Sequence, residues 1–141
     1  MFVNLIKLRP AHYFGFLYVA FAHLTDGKYK RVEQRTIWHS VNKWLKQDLE
    51  HGDYACIMDE VMEWYKSKVN DEDFENEVFE IVECINDFSW FEKQDRIKSL
   101  NDLKQIAVSD NRFLKKEKAW ILRIGEIWGL NNKEIENIIN K

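Results

Sequence analysis

The stretch Ala22-His23-Leu24-Thr25-Asp26-Gly27-Lys28-Tyr29 returns 84 residues later as Ile106-Ala107-Val108-Ser109-Asp110-Asn111-Arg112-Phe113. The two octets share little identity but the same order of chemistry. A small hydroxylic residue precedes an Asp, then comes a residue that readily takes the left-handed conformation (Gly27, Asn111), then a base, then an aromatic ring. The correspondence continues through Glu33 and Glu117, Ile37 and Ile121, and Trp44 and Trp128. Both halves therefore read as helix, tight acidic turn, helix, and an internal repeat of this kind decides the architecture before any single element does.

Working outward from the repeat, composition agrees with an all-α fold. The 141 residues include 5 Gly and 1 Pro, against average usage of about 7% and 5%, too few for a turn-rich β architecture. A chain of 17.1 kDa lies in the one-domain range and buries a core without disulfides or metals. With 45% hydrophobic and 14% aromatic residues beside 32% charged ones, disorder is excluded.

Seven helices are expected. The first starts at Pro10, a residue suited to a first helical turn, and carries apolar residues on so wide an arc, from Tyr13 to Leu24, that it should be central. The second holds Ile37, Val41, Trp44 and Leu45, and Gly52 closes it. The third runs from about Tyr54 to Val69. For the fourth, Asn70 and Asp73 form a capping pair, and Phe74, Val78, Ile81, Val82, Ile85 and Phe88 make a clean amphipathic stripe. Beyond Trp90 the boundary is open. Ile97 to Val108 form the fifth helix, Trp120 to Trp128 the sixth with Gly129 as its terminal glycine, and Ile135, Ile138 and Ile139 lie on a short seventh. Residues 1–141 read as one compact domain with two pseudo-symmetric halves.

Net charge is −3, but the average hides a polarity. Gln47 to Glu92 carry fifteen acids and two bases, while the flanks hold nineteen bases and nine acids. Such a chain presents acidic and basic faces to partners. Cys56 and Cys84, placed among apolar residues, read as buried reduced thiols, and the four His show no zinc spacing. Lys7 and Arg9 before the apolar run Tyr13 to Ala22, ending Ala20-Phe21-Ala22, resemble a signal peptide. The repeat, however, uses the same segment as a structural helix, so the expected location is cytoplasmic. No stretch approaches eighteen uninterrupted apolar residues.

The turn residues resemble those of TerB-like domains, named for the tellurite-resistance protein TerB. That family's pattern is a small residue, Asp-Gly, a base and an aliphatic, with Glu seven positions after the Asp. Here it stands as Thr25-Asp26-Gly27-Lys28-Tyr29 with Glu33, and as Ser109-Asp110-Asn111-Arg112-Phe113 with Glu117. Ile121 to Leu130 is similar to the family's closing helix and its Gly-Leu stop. The resemblance covers about Phe16 to Ile139, the middle by helical character alone. Two departures stand out. Lys30 and Leu114 replace the usual capping Ser or Asp, at about 1 kcal/mol per helix. Lys30, Arg31, Arg35, Lys115, Lys116 and Lys118 also crowd the carboxylates.

The resemblance implies a non-enzymatic binding or scaffold module, acting in stress response or a membrane-associated assembly, with a divalent cation (Ca²⁺, Mg²⁺ or Mn²⁺) held by acidic residues near the turns. Physical reasoning leaves two roles open for these residues. If the hairpins meet, Asp26, Glu33, Asp110 and Glu117 supply four carboxylates to a hard cation, with Gly27 and Asn111 shaping the turns. Otherwise each Asp bonds a turn N–H and each Glu reaches back to free N–H groups at its helix start.

The remaining signals are weaker. The acidic run Asp71-Glu72-Asp73 with Glu75, Glu77, Glu80 and Glu83 reads as a solvated face. The basic clusters around Tyr29 and Phe113 suit anionic membrane, while overall acidity and the lack of a recognisable motif exclude nucleic acid. Ser40 and His39 are helix neighbours that point apart, not a nucleophile and its base. Trp38, Trp64, Trp90 and Trp120 exceed what a small core easily buries, which suits a protein partner. The alternative function is a metal-independent protein or membrane interaction domain.

Overall fold

The structure, a computed structural model, describes residues 9–26, 36–41, 54–108 and 113–140. Within them the chain forms α1 (Pro10–Asp26), α2 (36–41), α3 (Tyr54–Lys68), α4 (Phe74–Asn86), α5 (Lys93–Val108), α6 (Lys115–Ile127) and α7 (Asn132–Asn140), and no strand. The fold is the all-α bundle expected from the repeat.

α1 is the axle. Ala11, Phe14 and every residue from Phe16 to Ala22 are at most 1% exposed, because α3, α4, α5 and α6 pack around it. The apolar run that resembles a signal peptide is thus the central helix. Glycine permits the closest of these approaches. A Cβ on Gly15 would lie 2.9 Å from Val61 Cγ2 of α3.

The repeat is visible in burial as well as in sequence. Positions 15, 16, 18, 19 and 22 of α1 are buried, and so are their equivalents 99, 100, 102, 103 and 106 of α5. In the second helix of each unit, Ile37 and Val41 match Ile121 and Gly125. Trp44 and its turn lie outside the described residues.

Helix ends follow two devices. α6 stops in a Schellman motif, with Leu130 N–H bonded to Gly125 O and Gly129 N–H to Glu126 O, both at 3.0 Å. This motif needs the left-handed φ of +79° that Gly129 supplies. At four helix starts the N–H of the capping residue donates to the side chain three positions on. Arg9 bonds His12 Nδ1 at 2.9 Å, Glu92 bonds Asp95 at 3.1 Å, Leu114 bonds Glu117 at 2.6 Å and Asn131 bonds Glu134 at 3.0 Å. Only Asn131 is seen to complete the reciprocal box, through Glu134 N–H at 2.8 Å.

Two expectations need correction. Asn70 and Asp73 do not cap α4 as a pair: Asp73 itself precedes the first helical residue and makes no side-chain cap bond. Backbone turn bonds, Asp71 N–H to Lys68 O and Phe74 N–H to Asp71 O, carry the chain into α4 instead. Cys56 and Cys84 are exposed, not buried. At about 100° per residue, Cys56 falls on the side of α3 opposite the buried Met58, Val61 and Tyr65, and Cys84 falls opposite the buried Val78, Phe79 and Val82. Partial burial, followed by Asp87, Glu80 and Glu83, raises the Cys84 thiol pKa, which keeps it protonated.

The tryptophans are absorbed more fully than composition suggests. Trp64, Trp120 and Trp128 are at most 6% exposed, and Trp128 Nε1 donates to Val82 O at 2.9 Å. Trp38 and Trp90 pack at the core margin.

Candidate functional site

The two halves meet where α1 crosses α5. Tyr18 donates its hydroxyl proton to Asp102 Oδ2 at 2.8 Å, and its oxygen then accepts from Ser99 Oγ at 2.8 Å, all three residues being buried. Tyr18 and Asp102 are 84 residues apart, the offset of the repeat. A residue that touches its own equivalent marks the pseudo-twofold axis. Four residues before Tyr18, the Phe14 ring packs on Trp90 and Phe91, just ahead of α5. The helices therefore run in the same sense through the crossing. Their C-terminal ends, Asp26 and Val108, therefore point toward the same end of the bundle.

Of the residues singled out by sequence, Glu117 is the one whose side chain is described. It sits in the first turn of α6, is 2% exposed, and gives Oε1 to Leu114 N–H at 2.6 Å. Leu114 is extended, at φ −74° and ψ 154°, and its side chain has no acceptor for the N–H groups of the first turn; Glu117 satisfies the Leu114 N–H, the other half of a capping box. Asp26 is the last residue of α1, with its side chain outside the described set. Gly27, Glu33, Asp110 and Asn111 lie outside the described residues. Among the described residues no group of three or more His, Cys, Asp or Glu side chains is arranged to hold a metal. Lys104 and Lys118 place their ammonium groups over the ring of Phe113, in the loop before α6, 5.7 and 5.3 Å from its centre.

A family model described as Tellurite resistance protein TerB matches residues 17–140. The chain belongs to the TerB family. The match spans both halves and the α3–α4 segment between them, which the sequence tied to TerB by helical character alone. No curated protein and no solved structure was found to match the chain.

Three further groups in this TerB-family chain have defined chemistry. His12, 1% exposed, accepts Arg9 N–H at Nδ1, so its own proton sits on Nε2 and is donated to Glu60 Oε1 at 2.9 Å. Sequence reasoning missed this residue. Its signal was the third position after a helix start, the place where a side chain returns to the cap. His23 packs against the Tyr65 and Phe74 rings, and burial lowers its pKa. Ser40 is buried while His39 is exposed, as their helical spacing requires.

An opening of about 530 Å³ lies where α5 and α7 begin and α6 ends. Arg96 is the clasp there. Its Nε donates to Phe91 O at 2.9 Å, Nη1 to Trp128 O and Nη2 to Asn86 O at 3.4 Å, with the guanidinium 5.2 Å from the Phe91 ring centre. A cation thus serves the carbonyl-rich ends of α4 and α6. Lys93 is paired with Glu134. That hydrogen bond, with Asn131 N–H next, lowers the Glu134 pKa. Both cations of this cleft are engaged within the fold.

Proposed function

We propose that this TerB-family chain is a non-enzymatic binding module whose working end is the one from which the two acidic turns leave. The supporting observation is the shared direction of α1 and α5 through the Tyr18–Asp102 crossing, which favours one joint site over two separate pairs of carboxylates. On this reading Asp26, Glu33, Asp110 and Glu117 hold a divalent cation such as Ca²⁺, Mg²⁺ or Mn²⁺. The ion supplies charge neutralisation and ties the turns into one docking face. The module acts in the cytoplasm on a protein partner or at a membrane surface, in a stress response of the tellurite-resistance kind. No helix among the described residues is long and apolar enough to cross a membrane.

A second reading has its own support. Glu117 is engaged as a helix cap, and three other helix starts use the same device. It therefore has a structural reason to be there without any ion. In this version the turns dock a partner directly, through the acidic middle and basic flanks. Calorimetric titration with Ca²⁺, Mg²⁺, Mn²⁺ and Zn²⁺, paired with melting curves at millimolar metal, separates the two. Saturable heat lost on Asp26→Asn and Asp110→Asn carries the first reading. Absence of heat and of any shift in melting temperature refutes it.

A further inference from the structure

We propose that His12 is a proton-operated latch on the start of α1: the neutral ring closes the helix cap on Arg9, and the protonated ring releases that cap while keeping its hold on Glu60 of α3. The latch lies outside the turns assigned to the divalent cation and stands or falls without them.

Both ring nitrogens are committed. Arg9 N–H donates to Nδ1 at 2.9 Å, and Nε2–H donates to Glu60 Oε1 at 2.9 Å. The ring is closed off, with 2% of the side chain exposed, so bulk water replaces neither partner. Nδ1 accepts only while it carries no proton. The arrangement therefore fits one state of the ring, the neutral tautomer with its proton on Nε2.

The other three helix starts that use this device return a carboxyl to the cap: Asp95 to Glu92 N–H, Glu117 to Leu114 N–H and Glu134 to Asn131 N–H. A carboxyl keeps an acceptor oxygen even when protonated, whereas an imidazolium is a donor at both nitrogens. Of these four caps, the one on α1 is thus the one that a proton can remove. It sits on the helix around which α3, α4, α5 and α6 pack.

The surroundings decide which bond yields. A proton on Nδ1 sets two donors against each other at the Arg9 contact and turns the Glu60 contact into a charge-assisted pair. Swinging the ring away from Arg9 would forfeit Glu60. Arg9 is half-buried, so its N–H reaches water once the first turn opens, and the same opening hydrates the new Nδ1–H. The cap therefore yields and the tie to α3 holds. The charged residues set against the ring are Glu60, from α3, and Arg9, through its backbone.

The test uses the full chain labelled with ¹⁵N. Long-range ¹H–¹⁵N spectra report the tautomer and charge of His12, and amide exchange reports the Arg9 cap, from about pH 8 to about pH 5, the range over which imidazoles change charge. In the neutral ring the proton should sit on Nε2. As His12 takes up its second proton, Arg9 N–H is expected to lose about fivefold in protection, after correction for the intrinsic pH dependence of exchange, while Leu114 and Asn131 N–H keep theirs. His12→Asn offers an amide oxygen that accepts without titrating, and its Arg9 protection should stay level throughout. Glu60→Gln keeps an acceptor for Nε2–H and removes the charge, so the Arg9 change should move to lower pH; this variant carries the test if His12→Asn does not fold. A neutral ring with its proton on Nδ1, Arg9 protection unchanged while His12 titrates, or the same loss in His12→Asn overturns the proposal.

Discussion

Replacing Tyr18 with Phe removes one hydroxyl at the crossing of α1 and α5 and almost no volume, so it isolates the polar part of the contact between the halves. That hydroxyl makes two bonds of 2.8 Å, one donated to the Asp102 carboxylate and one with Ser99. A hydrogen bond to a charged group contributes about 1.5–3 kcal/mol and a neutral one about 0.5–1.5. Ser99 can turn its own hydroxyl, which recovers part of the loss. The net expectation is about 2 kcal/mol, since Asp102, 3% exposed, loses a donor it cannot replace with bulk water. For a domain of this size that lowers the melting temperature by roughly 6–10 °C. Urea unfolding measures it, with an unchanged m-value showing that the native state stays compact. Asp102→Asn completes a cycle. With Tyr18 present it removes charge from a hydrogen-bonded carboxylate and destabilises. In the Tyr18→Phe background it removes a buried charge short of a donor, and so is less harmful by at least about 1 kcal/mol. Additive effects, or a Tyr18→Phe loss below about 0.5 kcal/mol, would refute the assignment of this contact as the joint between the halves.

Other outcomes follow from single residues. Glu117→Ala should cost about 1 kcal/mol by freeing Leu114 N–H, while Glu117→Gln keeps an acceptor and most of the stability; thermal melts in metal-free buffer compare them. Gly129→Ala forces an L side chain to φ +79° and is expected to cost about 1–2 kcal/mol. Equal melting temperatures would contradict the Schellman assignment. Gly15→Ala drives a Cβ to 2.9 Å from Val61 Cγ2 and should cost about 1–3 kcal/mol, with partial rescue by Val61→Ala. His23 has a lowered pKa in the fold, so the unfolded chain binds the extra proton first. Stability should therefore fall as pH drops below about 6.5, and His23→Phe should flatten that part of the profile in urea titrations.

Much of the fold was legible because the repeat constrains it twice. Each acidic turn fixes where a helix stops, and the inner stripes at Ile37 and Ile121 fix which face turns inward. Both are local signals; the second follows the 3.6-residue period and reappears as burial at Ile37 and Ile121, while the turn residues 27–30 and 109–112 lie outside the described residues. The cysteines show where local reading fails. Cys56 adjoins Ile57 and Met58 in sequence but lies across the helix from the centre of their buried arc, so neighbours along the chain are poor guides to burial. The start of α4 failed for a related reason: several residues in Asn70-Asp71-Glu72-Asp73 are plausible caps, and backbone turn bonds rather than side-chain affinity select the register. For the candidate site, sequence placed Glu117 in a first helical turn but could not say that it would be 2% exposed, since that depends on how α6 packs. The crossing at Tyr18 and Asp102 was hidden in the repeat offset. No pattern in either helix alone announces that equivalent residues will touch.

The halves share a pattern but not a task, and the difference bears on function. α1 and α5 bury the same inner positions, yet α1 also buries Phe14, Leu17, Ala20 and Phe21, whose equivalents Lys98, Asn101, Lys104 and Gln105 are exposed or half-buried. The added apolar residues lie in the half that α3 and α4 wrap, so α1 can be hydrophobic nearly all round where α5 must keep a polar face. This is why a helix at the centre of the fold resembles a leader segment. It also explains the charge polarity. The acidic stretch Gln47 to Glu92 contains α3 and α4, and their outer surfaces carry the acids that keep the cover solvated. Where that cover meets α1, the aromatic wall of Phe16 and Trp64 comes against Glu77, giving an acid in an apolar setting. α5, without such a cover, offers no matching arrangement. A pseudo-symmetric chain thus carries an unsymmetrical feature, set by the helix pair that covers α1 and has no counterpart over α5.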